Sequence, residues 1–403
     1  MKIGIYTGTI PPPVFINNLI NGLANKNDTV IVYGKVSERN YKFSSSAVVQ
    51  RKVPITKLGI LLYSIYTLSK LIIMQPQFCV KIVKLVMQNS TNWIQFFKRS
   101  CKVLPPFLDN LDIFHIQWAK SLVNYPEFIE LLTCPVVLSL RGAHINYSPL
   151  SDKKLSQGYM KYFPDIAGFH AVSMAIAREA EKYGAVSKKI KVIPPAVKID
   201  LIKKIFFQNH TYKNDELKII SVGRCHWKKG FTFALDAMAI LKKKVSNFQY
   251  TIIAGGKDEE NLLFQIHDLG LSENVTFING LPHQRVIKKI SESNIFLLPS
   301  VEEGISNAVL EAMALGIHVI STNCGGMAEV IENKINGFLV EVREPLQIST
   351  AIQSFINSSN NEKMELVNHA QKTIRENHLL NRQINEMVTL YSSTINGIGV
   401  DKN

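Results

Sequence analysis

The sequence predicts an α/β chain built as two doubly wound halves. Short apolar runs rich in Val and Ile recur along its length, separated by stretches whose apolar residues fall at three- and four-residue spacing. The pattern fades over residues 201–216, which are increasingly polar, and starts afresh at Leu217. In the second series the apolar run Ile295–Leu298 ends at Pro299 and two carboxylates follow. Ser306 and Asn307 then open a helical segment that closes at Gly316, before the apolar run His318–Ile320. In a parallel sheet, the loop after a strand and the helix N-terminus that follows it are where ligands bind. Unpaired N–H groups and the helix dipole favour anions there.

The composition supports this reading and removes others. At 403 residues and 46% hydrophobic content, the chain can bury two cores. Its five cysteines are odd in number and include no close-spaced pair, so neither a zinc site nor a disulfide framework is expected. A cytoplasmic location is the expectation, because MKIGIYTGTI enters a strand-like run within two residues and lacks the pattern of a secretory signal. The net charge is +14, and it is concentrated: from Arg39 to Leu108 there are eleven Lys or Arg and no Asp or Glu. The residues between them are long aliphatics and aromatics, unlike a nucleic-acid arm, so an anionic membrane surface is the expected partner and nucleic acid is not.

Taken in order, residues 2–8 and 28–33 read as strands flanking a helix at Phe15–Ala24, with a stiff loop, Gly8-Thr9-Ile10-Pro11-Pro12-Pro13, between the first strand and the helix. Residues 57–104 form a basic insertion. Leu58–Leu68 is nearly continuous apolar sequence, but Lys57 and Lys70 bracket it too closely for a membrane span, so none is predicted. Phe78–Gln88 and Trp93–Leu104 read as amphipathic helices, the second with Trp93, Phe96, Phe97, Cys101 and Leu104 opposite Lys98, Arg99 and Lys102. These helices either pack on a core or lie on anionic lipid. Strands follow at Asp112–Trp118 and Pro135–Leu140, then Arg141-Gly142-Ala143-His144, with His115 read as a core residue or one that stands behind the catalytic groups. Gly168–Val172 and Ile190–Ile193 are further strands.

In the second half, the strand from Leu217 runs into Gly223-Arg224 and then Lys229-Gly230, before a helix from about Thr232 to Lys243. A bidentate Arg and a mobile Lys at one strand end suit a diphosphate. Gln249–Gly255, Val275–Ile278 and Ile295–Leu298 complete a doubly wound pattern, with an edge strand at Gly337–Val340 and helices to about Ile395. Glu303 and Glu311 would repel phosphate and so read as acceptors for neutral hydroxyls beside it. As a bare pair they are more often a solvated face.

The segment Glu-Gly, six residues, Glu-Ala-Met-Ala-x-Gly closely resembles the signature of the family-four retaining glycosyltransferases, of the type that assembles polysaccharides. The resemblance implies the GT-B fold, two Rossmann-like domains facing across a cleft, with domains at 1–205 and 217–380 and residues 381–403 returning to the first. It implies an acceptor on the first domain, either lipid-linked or a growing polysaccharide, and a nucleotide-diphosphate sugar on the second. It places Glu303 at the donor sugar, Glu311 at the ribose, and Arg224 and Lys229 with the N–H groups of Gly304, Ile305, Ser306 and Asn307 at the diphosphate. Family members carry His-Gly where this chain has Arg141-Gly142, so Arg141 or His144 takes the place of that catalytic histidine. No metal and no cofactor are expected, since the positive groups would replace a divalent ion and no Asp-x-Asp occurs in the chain. The rival readings are a nucleotide-sugar epimerase or phosphorylase on the same fold, and a membrane-bound scaffold that keeps the pocket without turnover.

Overall fold

Among the described residues, thirteen strands form two separate parallel sheets, each belonging to its own compact unit. The computed structural model describes residues 1–26, 28–38, 40–198, 216–256 and 259–400, with the last three in backbone only. The linker expected at 201–216 lies outside these residues, apart from Glu216. The first unit comprises Met1–Ile193 together with the chain from Leu380 onward, and the second is Pro194–Leu379.

The first sheet holds β1 (Lys2–Ile10), β2 (Thr29–Val36), β3 (Val48–Val53), β4 (Ile113–Ile116), β5 (Val136–Leu140), β6 (Gly168–Ala171) and β7 (Ile190–Val192). Their order is β3-β2-β1-β4-β5-β6-β7, all parallel. β4, β5 and β6 are buried along their whole length, which is why they read as continuous apolar runs. β1 departs from the sequence reading. A register shift between Tyr6 and Gly8 lets Gly8, Thr9 and Ile10 pair with Gly34, Lys35 and Val36, so the first loop begins at Pro11 instead of Gly8. Gly8 sits at φ +80°, a conformation that suits glycine at a bulge. β3 was not anticipated, because VVQRKV is half polar and pairs only with β2 at the sheet edge.

Helix α1 (Val14–Ala24) buries Ile16, Leu19, Ile20 and Leu23 in one cluster with Ile384, Met387, Leu390 and Tyr391 of the last helix, Leu380–Val400. Gly22 makes room for Ile384, whose side chain occupies the place a Cβ would take.

The basic segment folds as α2 (Lys57–Met74), α3 (Pro76–Gln88) and α4 (Trp93–Val103), all packed within the first unit. Two expectations are corrected here. α2 runs 18 residues, past Lys70, and is long and apolar enough to cross a membrane by length and composition, although only 17% of it is buried. A lysine on a helix flank does not end the helix, because its stem and charge reach solvent without breaking a backbone bond. Trp93, expected on the apolar face of α4, is exposed, and the core takes Phe96, Cys101 and Val103 instead. Two of the basic residues are structural. Arg99 donates two bonds, 2.5 and 2.8 Å, to the buried Glu127, and Arg51 donates two, 3.0 and 2.6 Å, to Asp109.

The second sheet holds β8 (Leu217–Cys225), β9 (Phe248–Gly256), β10 (Val275–Ile278), β11 (Ile295–Leu298), β12 (His318–Thr322) and β13 (Phe338–Val340), in the order β10-β9-β8-β11-β12-β13, all parallel. In each sheet the winding direction reverses once, between β1 and β4 and between β8 and β11. Such a switch point opens a crevice at the carboxyl ends of the two strands.

Candidate active site

At the second switch point three loops hold one another. After β8 a short turn, Trp227–Lys229, closes on Gly230 in the left-handed region at φ +63°. Any side chain at Gly230 would overlap the carbonyl of Pro299. The amide of Val301 donates to the carbonyl of Lys228 at 2.7 Å, and that of Gly326 donates to the carbonyl of Gly304, also at 2.7 Å. Gly325, at φ +52°, lies against the carbonyl of Glu303 where a Cβ cannot fit. The loops after β8, β11 and β12 are therefore fixed relative to each other around Glu303.

Glu303 is buried and not part of a solvated face. The Lys229 ammonium donates to its Oε1, Ser300 Oγ lies 3.5 Å from the same oxygen, and Lys228 Nζ is 3.8 Å from Oε2. Burial pushes the Glu303 carboxyl up, but the charges of Lys229, Lys228 and Arg224 outweigh it and hold the group below the usual carboxylate range. Burial pushes Lys228 down against the pull of Glu303. Gly223 leaves room for a side chain from the following turn. The aliphatic stem of Lys229 lies over it, with carbons 3.0 to 3.3 Å from where a Cβ would be. Arg224 is exposed at the rim.

Ser306 caps the helix Asn307–Ala314 without a side-chain bond to it, and its first turn contains no acid. The opening N–H groups of a helix have no carbonyl partner within it, so this end favours an anion. Glu311, one turn further on, accepts a 2.7 Å hydrogen bond from His283 Nε2, and that bond raises the His283 pKa against the opposing effect of burial. The second unit thus brings together Arg224, Lys229, Glu303, Gly304, Ile305, Ser306 and Asn307, with Glu311 on the same helix. The sequence reading missed Lys228 and the pairing of His283 with Glu311. The Pro282-His283 step at the mouth of a strand-to-helix loop was the available signal for the latter.

Arg141 and His144 belong to the first unit. Arg141 follows β5, half-buried, with its guanidinium 4.8 Å from the Phe15 ring centre and Nη2 donating to Gln117 Oε1 at 3.0 Å. Its Nε is buried without a hydrogen-bond partner, and burial lowers its pKa to about 10. Gln117 Nε2 lies 3.1 Å from His115 Nδ1. His115 also contacts Tyr391 Oη at 2.7 Å and Ser139 Oγ at 2.8 Å, and Ser139 Oγ continues to His170 Nδ1 at 2.9 Å. Burial holds His115 well below the ordinary imidazole value and His170 down to about 3, so both rings are neutral. The expectation that His115 is a core residue agrees with this. His144 packs its ring 5.5 Å from Trp118.

Among the described residues, no group of three or more His, Cys, Asp or Glu is placed to hold a metal ion. A cavity of about 720 Å³ between β13 and the helices Pro345–Asn357 and Asn360–Asn377 shares no residue with the loops described above.

Two parallel, doubly wound units of this kind make the GT-B fold. Residues 202–373 match the model of the family described as glycosyl transferases group 1. An amylovoran biosynthesis glycosyltransferase of Erwinia amylovora is 30% identical over 246 residues, 58% of each chain. The chain spans about half the length of the curated relatives it matches. Among solved structures, a sucrose-phosphate synthase from Thermosynechococcus elongatus matches with a TM-score of 0.73 at 15% identity, over 98% of this chain and 100% of that one. HepE of Anabaena, in complex with UDP and glucose, matches with a TM-score of 0.70 at 16% identity, over 98% and 100%.

Proposed function

We propose that the protein is a retaining glycosyltransferase that moves a sugar from a nucleotide-diphosphate sugar to a lipid-linked or growing polysaccharide acceptor, without a divalent ion. The observation that carries this reading is the set Arg224, Lys228 and Lys229 around the buried Glu303, beside a helix N-terminus at the switch point of the second sheet.

Breaking the bond between the anomeric carbon and the diphosphate puts negative charge on the leaving phosphate. Arg224, Lys229 and the N–H groups of Ile305–Asn307 would stabilise that charge, an effect worth about 3–4 kcal/mol per well-placed donor. An ammonium has three donors, so Lys229 can keep its bond to Glu303 and still offer two. Glu303, held ionised, would orient sugar hydroxyls and favour positive charge at the anomeric carbon, and Glu311 would accept from ribose hydroxyls. Arg141 stands where the resemblance puts the donor-sugar histidine, with His144 three residues on.

The deciding experiment is thermal melting against a panel of nucleoside diphosphates and their sugars, starting with UDP because the structural neighbour HepE holds it. A bound nucleotide at a hundredfold excess over its dissociation constant should stabilise the fold by about 2.7 kcal/mol. Failure of the whole panel to shift melting would overturn the donor reading, and loss of turnover on chelation would overturn metal independence.

A further inference from the structure

We propose that α2 is an in-plane docking helix that seats the first unit on an anionic bilayer. The helix is amphipathic in the reverse of the usual sense. Its buried positions include the polar Ser64 and Thr67 beside Leu71. Its outward positions are Leu58, Leu62, Ile65, Tyr66, Ile72 and Ile73, each more than half exposed, with Ile73 81% exposed. Leu58, Leu62, Ile65 and Tyr66 recur at three- and four-residue spacing, and Ile72 and Ile73 follow seven residues after Ile65 and Tyr66, past the exposed Ser69, so all six fall on one side of the helix. A run of large apolar side chains facing outward marks an interaction surface.

The inward face rules against a transmembrane role. Ser64 Oγ donates to the Phe97 carbonyl at 2.8 Å, and Cys101 Sγ donates to the Ile60 carbonyl at 3.1 Å. Leu71 lies in the same cluster as Val86, Phe96 and Phe114. A helix with one side built into the unit's core lies along a membrane surface and does not pass through it.

Charge selects the occupant. Lys57, Lys70, Lys81, Lys84 and Lys98 are exposed and have no ion-pair partner among the described residues, and Arg39 to Leu108 contains no acid. A second copy of this chain would bring like charge against like. An anionic lipid surface attracts exposed lysines of this kind, at about 1 kcal/mol for each that reaches the headgroups. Beneath α2 a cavity of about 360 Å³ is lined by Arg51, Lys52, Lys70, Tyr63 and Tyr66, with Asp109 already committed to Arg51. It offers a cationic recess for a headgroup phosphate.

The test is flotation of the full chain with vesicles of phosphatidylcholine alone or with about 30% phosphatidylglycerol, at low salt and at about 0.5 M salt. No donor or acceptor is added, so the result is independent of the transfer reading. The protein should float with the anionic vesicles only and be released by salt. The double variant Ile65→Asp, Ile73→Asp should float at least about tenfold less while melting at the parental temperature. Equal flotation of parent and variant, no binding to anionic vesicles, or equal binding to neutral ones would each overturn the proposal. So would parental dimerisation in sedimentation velocity that the variant loses, which would make the stripe a contact between copies. Resistance to salt and to an alkaline carbonate wash would mark a spanning helix and would overturn it too.

Discussion

The two switch points of this molecule solve the same positional problem with opposite chemistry. In the second unit, cations gather around a buried carboxylate that stays ionised, and glycines at Gly230 and Gly325 let three loops close on it. In the first unit, a single half-buried guanidinium leans on Phe15 and is held by neutral partners, Gln117, then His115, then Tyr391 and Ser139. The second arrangement compensates charge locally and can receive an anion without reorganising. The first leaves a half-buried positive charge with no ion-pair partner among the described residues, which makes its direction dependent on the hydrogen-bonded chain behind it.

That contrast is broken most sharply at Glu303. Glu303→Gln leaves Lys229 and Lys228 facing an amide, and losing one partner of a buried pair costs about 3–5 kcal/mol. Turnover of donor should fall on the order of a hundredfold. Parental melting and parental donor hydrolysis together would show that the carboxylate is neither structural nor chemical. Gln117→Leu tests the first unit. It removes the acceptor of Arg141 and should cost about 1–3 kcal/mol in denaturant unfolding, because a buried donor is left unmet. If stability is unchanged, the neutral chain does not hold Arg141.

The smallest effect is expected at His283. Its pKa is raised by the bond to Glu311, so the pairing stabilises fully below the ordinary imidazole value and fades as pH rises through the higher folded value. Imidazole titration by NMR should place His283 above the ordinary range. In Glu311→Gln, with burial unopposed, it should drop to that range or below. An unchanged titration in the variant would remove the pairing from the account.

The second site was largely legible in the sequence because its parts are local. Ile295–Leu298, the Glu303 loop and the helix at Asn307 lie within a short stretch, and Lys229 follows its strand directly. The first site was not legible, because it depends on sheet register: His115 stands beside Val137, which sets it near Ser139, and Ser139 pairs with His170. No local pattern announces that Gln117 will meet Arg141 or that Tyr391 will arrive from far down the chain. The reach of α2 was misjudged for a different reason. Lys70 marks a charge on the helix flank, and charge alone carries no information on where backbone hydrogen bonding stops.

The last helix, which completes the first unit after the whole second unit has intervened, dictates an order of events on the ribosome. All seven strands of the first sheet emerge well before Ile384 and Tyr391 exist to cover α1 and cap His115, a delay of about ten seconds or more at ordinary elongation rates. The nascent amino-terminal half must wait with an uncovered apolar seam, and the later-made second unit has all of its own strands in hand first.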